Sequence, residues 1–217
     1  MTTPVNGYCT LTELKSADVL ATPATASDDQ FLCDIITSVS RGIDRETSRS
    51  FYQSAAHEIR YFTAVEPDRL FTGDLVSVTA LYTDTLSGDR TYPFTWATTD
   101  YDLWPYDAPT NSEPEPYRFI EVTPRGLYKF PTTYHLSFMN SGPGVPKGVK
   151  LDGVFGWPEV PQQIQRACIL QSSRIFMRYS APLGTTSVSA LGQSITKVAP
   201  LDPDVAAMIN NYRLPGI

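Results

Sequence analysis

The chain has 217 residues, 41% of them hydrophobic and 12% aromatic, so it can bury a sizeable core and is not a disordered chain. Only 18% of its residues are charged, while proline (18) and glycine (13) are abundant, which favours many turns and a substantial β component. A net charge of −6 argues against nonspecific nucleic-acid binding, because phosphate contacts need clustered lysine and arginine.

The charge is unevenly spread. Residues 1–60 carry −3, residues 61–150 carry −4 and residues 151–217 carry +1. Between Val160 and Leu201 stand Arg166, Arg174, Arg178 and Lys197, with no acid among them. Cys9, Cys33 and Cys168 are an odd number without a C-x-x-C pair. They are therefore read as buried thiols in a reducing cytoplasm rather than a disulfide scaffold or zinc knuckle. The opening "MTTPVNGYCT" has neither the basic nor the apolar region of a secretory signal. No stretch approaches the ~20 apolar residues of a membrane span.

"TLTELKSADVL" predicts a first short helix. Thr10 and Glu13 have the spacing of a capping box, and Leu11, Leu14 and Val19 supply a narrow apolar face. A small-residue linker, "ATPATAS", follows. The second helix is expected over Asp28–Thr47, with Ser27 and Gln30 as a further box and Asp28 and Asp29 at the positive end of the dipole. Phe31, Leu32, Ile35, Ile36, Val39 and Ile43 recur at three- and four-residue steps and mark one buried face. From His57 to about Gly156 the period falls towards two. "HEIRYFTAV", "LVSVTALYTD", "DRTYPFTW", "YDLWP", "YRFIEV" and "VKLDGVFG" read as antiparallel strands separated by turn-rich stretches, one of them an exposed proline-rich loop at 108–116.

A third helix is expected over 160–180, entered through "VFGWPEVP". Phe155, Trp157, Pro158 and Pro161 form a rigid elbow there, since proline is tolerated where the first backbone N–H groups lack partners anyway. One face carries Ile164, Ala167, Cys168, Gln171, Ile175 and Tyr179; Arg166, Arg174 and Arg178 fall on another. The Ser-, Thr- and Gly-rich stretch that follows has the composition of a flexible linker. Asp202 can cap a last short helix with Pro203 in its first turn. Val205, Met208, Ile209 and Tyr212 give that helix an apolar stripe that needs something to pack on, another subunit or its own chain.

The fold class is thus α+β. It is a small antiparallel helical bundle (1–56 and 157–180) with an inserted antiparallel β-rich region (57–156) and a C-terminal arm (181–217) ending in a short helix. No catalytic constellation stands out. His57 and His135 lie in no motif, no G-x-S-x-G is present, and "SGPGVPKG" lacks the ending of a phosphate loop. The carboxylate pairs Asp100/Asp102 and Glu113/Glu115 fit a solvated acidic surface. Trp96, Trp104, Tyr106 and Tyr117 suit a core or interface, and keep a carbohydrate-binding module as an alternative. No enzyme activity, cofactor or metal is expected.

Four stretches together resemble the head–tail connector (adaptor, or head-completion) proteins of tailed bacteriophages. The opening "YCTLTELKSADVL…DDQFLCDIITSVSRGIDRETSRSFY" is similar to the family's first two helices, with Ser48 where the family pattern has glycine before Arg49. "DLVSVTALYTD", "DGVFGWPEVPQQIQRACIL" and "DVAAMINNYR" resemble a strand, the entry to the third helix and the C-terminal segment. Residues 85–147 match only loosely. The resemblance implies a non-enzymatic virion protein of the neck, made in the host bacterial cytoplasm. Its implied partners are sister subunits in a ring, typically dodecameric, then the portal protein and stopper or tail-completion proteins, with DNA passing through the channel without specific binding and no membrane involved. On this reading Arg166, Arg174, Arg178, Val205, Met208, Ile209 and Tyr212 face the portal or a neighbouring subunit. A tail-completion or tail-terminator protein is the alternative within virions.

Overall fold

The structure, a computed structural model, describes residues 3–16, 20, 25–124, 126–132, 144–179 and 201–214. The expected linker at 181–200, together with Val19 and His135, lies outside the described residues. The chain divides into two compact units: residues 1–51 with 160–217, and residues 52–159. The architecture is α+β, as expected from the patterning.

In the helical unit, α1 (Leu11–Ser16) begins with the predicted capping box. The Glu13 backbone N–H donates to Thr10 Oγ1 at 3.1 Å, and the Thr10 N–H donates to Glu13 Oε2 at 2.7 Å. α2 (Asp29–Thr47) follows a 3₁₀ turn at Ala26–Asp28. The box at this second start is Thr25 with Asp28, not Ser27 with Gln30. The Thr25 N–H donates to Asp28 Oδ2 at 2.9 Å, while Gln30 Nε2 donates along the helix to Asp34 at 2.9 Å. Leu32, Ile35, Ile36, Val39 and Ile43 are buried, as their spacing predicts, and Phe31 is half-buried. The helix ends on Ser48, a non-glycine residue in the left-handed region at φ 55°, where glycine carries no Cβ penalty.

Tyr8 ties the N-terminal segment to α2. Its hydroxyl donates to the Asp44 carboxylate and accepts the Phe51 N–H at 2.9 Å. Its own N–H donates to Ser40 Oγ at 3.0 Å. Burial and the bond to Asp44 push the Tyr8 hydroxyl far above its ordinary value, so it stays a donor. α3 (Gln162–Tyr179) packs against α2, and α4 (Pro203–Asn210) packs against both.

The other unit is a six-stranded antiparallel sheet: β1 (Glu58–Phe62), β2 (Arg69–Thr83), β3 (Phe94–Thr95), β4 (Tyr101–Trp104), β5 (Tyr117–Val122) and β6 (Val149–Phe155). The order is β1-β6-β2-β5-β4, with β3 pairing β2. β6 buries alternate residues, Val149, Leu151, Gly153 and Phe155, the period-two pattern of a sheet with one face on the core. Leu75, Leu81 and Ile120 join them, and Trp96 stacks on Phe130 with ring centroids 4.8 Å apart.

β2 is longer than its sequence signal. It reaches back to Arg69 because Gly73, at φ 72°, sits in a register shift between Phe71 and Leu75 that lets the strand continue. Its 15 residues span about 50 Å at the usual rise per residue. Trp157 belongs to this unit, donating from Nε1 to Asp74 Oδ2 at 3.2 Å. Gly156 beside it, at φ 106°, leaves no room for a side chain, since a Cβ would lie 2.0 Å from the Tyr52 carbonyl oxygen. The boundary between the units, at Glu159 and Val160, falls inside the "VFGWPEVP" stretch.

Candidate interaction surface

The segment that launches α3 explains where the helix starts. Pro161 is buried and its carbonyl accepts the Gln165 N–H at 3.0 Å, so the first intrahelical bond closes on a residue that needs no donor of its own. Ile164, Ala167, Cys168, Ile169, Gln171, Ser172 and Ser173 are buried. The buried face includes the expected Ile164, Ala167, Cys168 and Gln171 but is broader, and it fades towards the C-terminal end, where Ile175 is half-covered and Tyr179 is 75% exposed. Tyr179 still meets Phe31 of α2, with centroids 4.7 Å apart.

The three arginines do not share one fate. Arg166 and Arg178 are exposed. Their twelve-residue spacing places them about 18 Å apart along the helix axis. Arg174 is half-buried and held by two acids at the start of α4, forming an ion pair with Asp202 and another with Asp204 at 3.3 Å. Asp202 caps the same helix through the Asp204 N–H at 3.0 Å, and both carboxylates sit at the positive end of its dipole. Arg174 is thus an internal clamp rather than a free basic contact. The acid-free run from 160 to 201 hid this, because the partners come just after it.

The apolar stripe of α4 is corrected in the same direction. Val205 and Ile209 are completely covered within the helical unit, on α3 and α2. Tyr212 packs edge-on against Phe51 at 5.6 Å. The end of the segment is fastened as well: Arg213 pairs with Glu46 at 2.8 Å, and the Leu214 N–H donates to the Thr47 carbonyl at 3.1 Å. Neither Val205 nor Ile209 is open to another molecule. Met208 is half-buried and lines an open groove of about 760 Å³ between α3 and α4, with Gln163, Arg166, Leu170 and Ala207. Of the expected contact set, Arg166 and Arg178 are exposed, and Met208 and Tyr212 are half-buried.

Residues weighed for chemistry have structural settings. His57 Nδ1 is 2.6 Å from Thr79 Oγ1 on an exposed part of the sheet. Asp100 is buried and accepts the Ala97 N–H at 3.0 Å, capping a turn, while Asp102 is exposed. Trp96 is a core residue whose Nε1 donates to Thr83 Oγ1 at 3.0 Å. Trp104 and Tyr106 form an exposed pair that meets edge to face at 4.8 Å. Among the described residues no group of three or more His, Cys, Asp or Glu side chains is placed to hold a metal ion. No described helix is long and apolar enough to cross a membrane.

No protein-family model matches the chain, and neither does any curated protein. Solved structures do resemble it. A chain in the virion of a native gene transfer agent particle aligns at a TM-score of 0.47 and 16% identity, covering 100% of this chain and 95% of that one. A chain in the neck of an empty gene transfer agent particle, computed with C6 symmetry, aligns at a TM-score of 0.52 and 15% identity, covering 95% of this chain and 89% of that one. The fold described here is therefore similar, over nearly its whole length, to that of a neck protein chain.

Proposed function

We propose that this chain is a structural protein of a phage-type neck: a connector subunit that assembles as a ring against the portal vertex, lengthens the DNA channel and receives stopper or tail-completion proteins. The observation that carries this reading is the fold likeness to a neck chain over 95% of the present chain. The four ordered sequence stretches that resemble head–tail connectors agree with it. On this reading the protein is made in the host bacterial cytoplasm, ends in the virion and catalyses no reaction.

The surface suits the role. A closed ring of identical subunits needs two different, complementary patches on each subunit. Arg166 and Arg178 stand exposed on a helix without acids, and residues 61–150 carry a net −4. Opposite charges on separate parts of one subunit steer head-to-tail contact and reject head-to-head contact. An acidic channel wall offers no counterion-releasing contacts and lets DNA slide.

The test is genetic and structural. Particles assembled without this chain should accumulate as DNA-filled heads without tails, and supplying the purified full-length protein should restore head–tail joining. Normally tailed particles made in its absence would contradict the proposal.

A further inference from the structure

Two of the three cysteines meet inside the helical unit. Cys9 lies in the segment before α1 and Cys168 in the middle of α3, and their Sγ atoms are 3.5 Å apart. Both residues are buried, at 4% and 0% exposure. The contact is a thiol–thiol hydrogen bond in which Cys9 donates to Cys168. Ser40 Oγ of α2 is 3.6 Å from Cys168 Sγ, so the thiols sit where the N-terminal segment, α2 and α3 converge. Cys33 lies elsewhere on α2.

We propose that Cys9 and Cys168 are a latent disulfide, closed by a hydroperoxide, that staples the N-terminal segment to α3. A disulfide needs the sulfurs at about 2.05 Å, a closure of about 1.5 Å from their 3.5 Å approach. The order of events follows from the hydrogen bond. Cys9 is the donor, and that bond together with burial pushes its thiol up; Cys168, accepting it, is held down and is the first to lose its proton. The Cys168 thiolate attacks one peroxide oxygen, breaking the O–O bond, to give a sulfenic acid and hydroxide. Cys9 then attacks the sulfenic sulfur. The S–S bond forms, the S–O bond breaks, and hydroxide leaves with the Cys9 proton as water. In sum, two thiols and one hydrogen peroxide give one disulfide and two waters; both sulfurs are oxidised and both peroxide oxygens are reduced. A reducing cytoplasm keeps the pair open, and oxidising surroundings close it.

The test uses the full-length protein with stoichiometric hydrogen peroxide, quenched by catalase, then alkylation in denaturant and peptide mapping by mass spectrometry. The expected product has lost 2 Da, carries a 9–168 cross-linked peptide and keeps one alkylatable thiol, at Cys33. Its thermal midpoint should rise by roughly 5–10 °C, since a link across so long a loop constrains the unfolded chain strongly. Cys33→Ser should form the same link at the same rate, and Cys9→Ser should lose it. Three surviving thiols, a link involving Cys33, or loss of the 9–168 link in Cys33→Ser would overturn the proposal.

Discussion

Arg174 on α3 forms an ion pair with Asp202, the residue that caps α4. One carboxylate thereby satisfies a helix N-terminus and neutralises a half-buried guanidinium, and Asp204 adds a second contact at 3.3 Å. The pair joins residues 28 positions apart in the chain and fixes the terminal helix on its own unit.

Removing the clamp should loosen α4 without unfolding the molecule. Arg174→Ala is expected to cost about 1 kcal/mol, because a partly exposed pair with good geometry lies at the upper end of surface salt bridges. That is a drop of roughly 2–4 °C in thermal midpoint for a chain of this size. Hydrogen exchange should show faster exchange across 203–210 with little change in the sheet. Unchanged protection of α4 would mean that its apolar face alone holds it.

That apolar face is the stronger attachment. Ile209→Ala removes a fully buried side chain and is expected to cost about 2–4 kcal/mol, the range for large-to-small core substitutions. Urea denaturation of the free protein measures this directly. A loss below about 0.5 kcal/mol would mean that Ile209 is exposed in solution and available to a partner.

Ser48 ends α2 at φ 55°, where the connector pattern has glycine. Ser48→Gly removes a Cβ from the left-handed region and should stabilise the protein by roughly 0.5–1 kcal/mol, because the strain relieved exceeds the added unfolded-state entropy. A rise in the urea midpoint at constant slope is the expected result.

Asp44 makes stability depend on pH in an unusual direction for a carboxylate. Burial pushes its carboxyl above the ordinary 3.8, and the hydrogen bond from Tyr8 and the charge of Arg41 only partly offset this. The folded state therefore holds the proton more tightly than the unfolded state. Through the window just above 3.8, this group's contribution falls as pH rises. Asp44→Asn removes that slope, so the stability of wild type relative to the variant should be greater near pH 4 than at pH 7, as read from urea melts at both.

The local signals were legible where a pattern refers only to its own neighbours. The Thr10–Glu13 box, the α2 stripe and the Asp202 cap stand as their spacing predicts. At the second helix start two boxes compete two residues apart, and the backbone chose Thr25 and Asp28 by adding a 3₁₀ turn. Gly73 lies before the strand signal that begins at Leu75, yet sits at a register shift inside the strand. What spacing could not reveal was the occupant of each surface. Val205 and Ile209 form the same stripe whether they cover a partner or their own α3. Arg174 looks like its neighbours Arg166 and Arg178 until Asp202 is placed beside it.

Imaging distinguishes a neck subunit held at the portal vertex from a protein that binds elsewhere. Purified full-length protein is added to portal-bearing, DNA-filled heads lacking it, and the vertex is reconstructed by electron cryomicroscopy. A closed ring of added density is expected at that one vertex, its subunits fitting the helical and sheet units, with weakened occupancy for the folded Arg166→Glu/Arg178→Glu variant. No added density at the portal, or equal binding to heads without a portal, would contradict it.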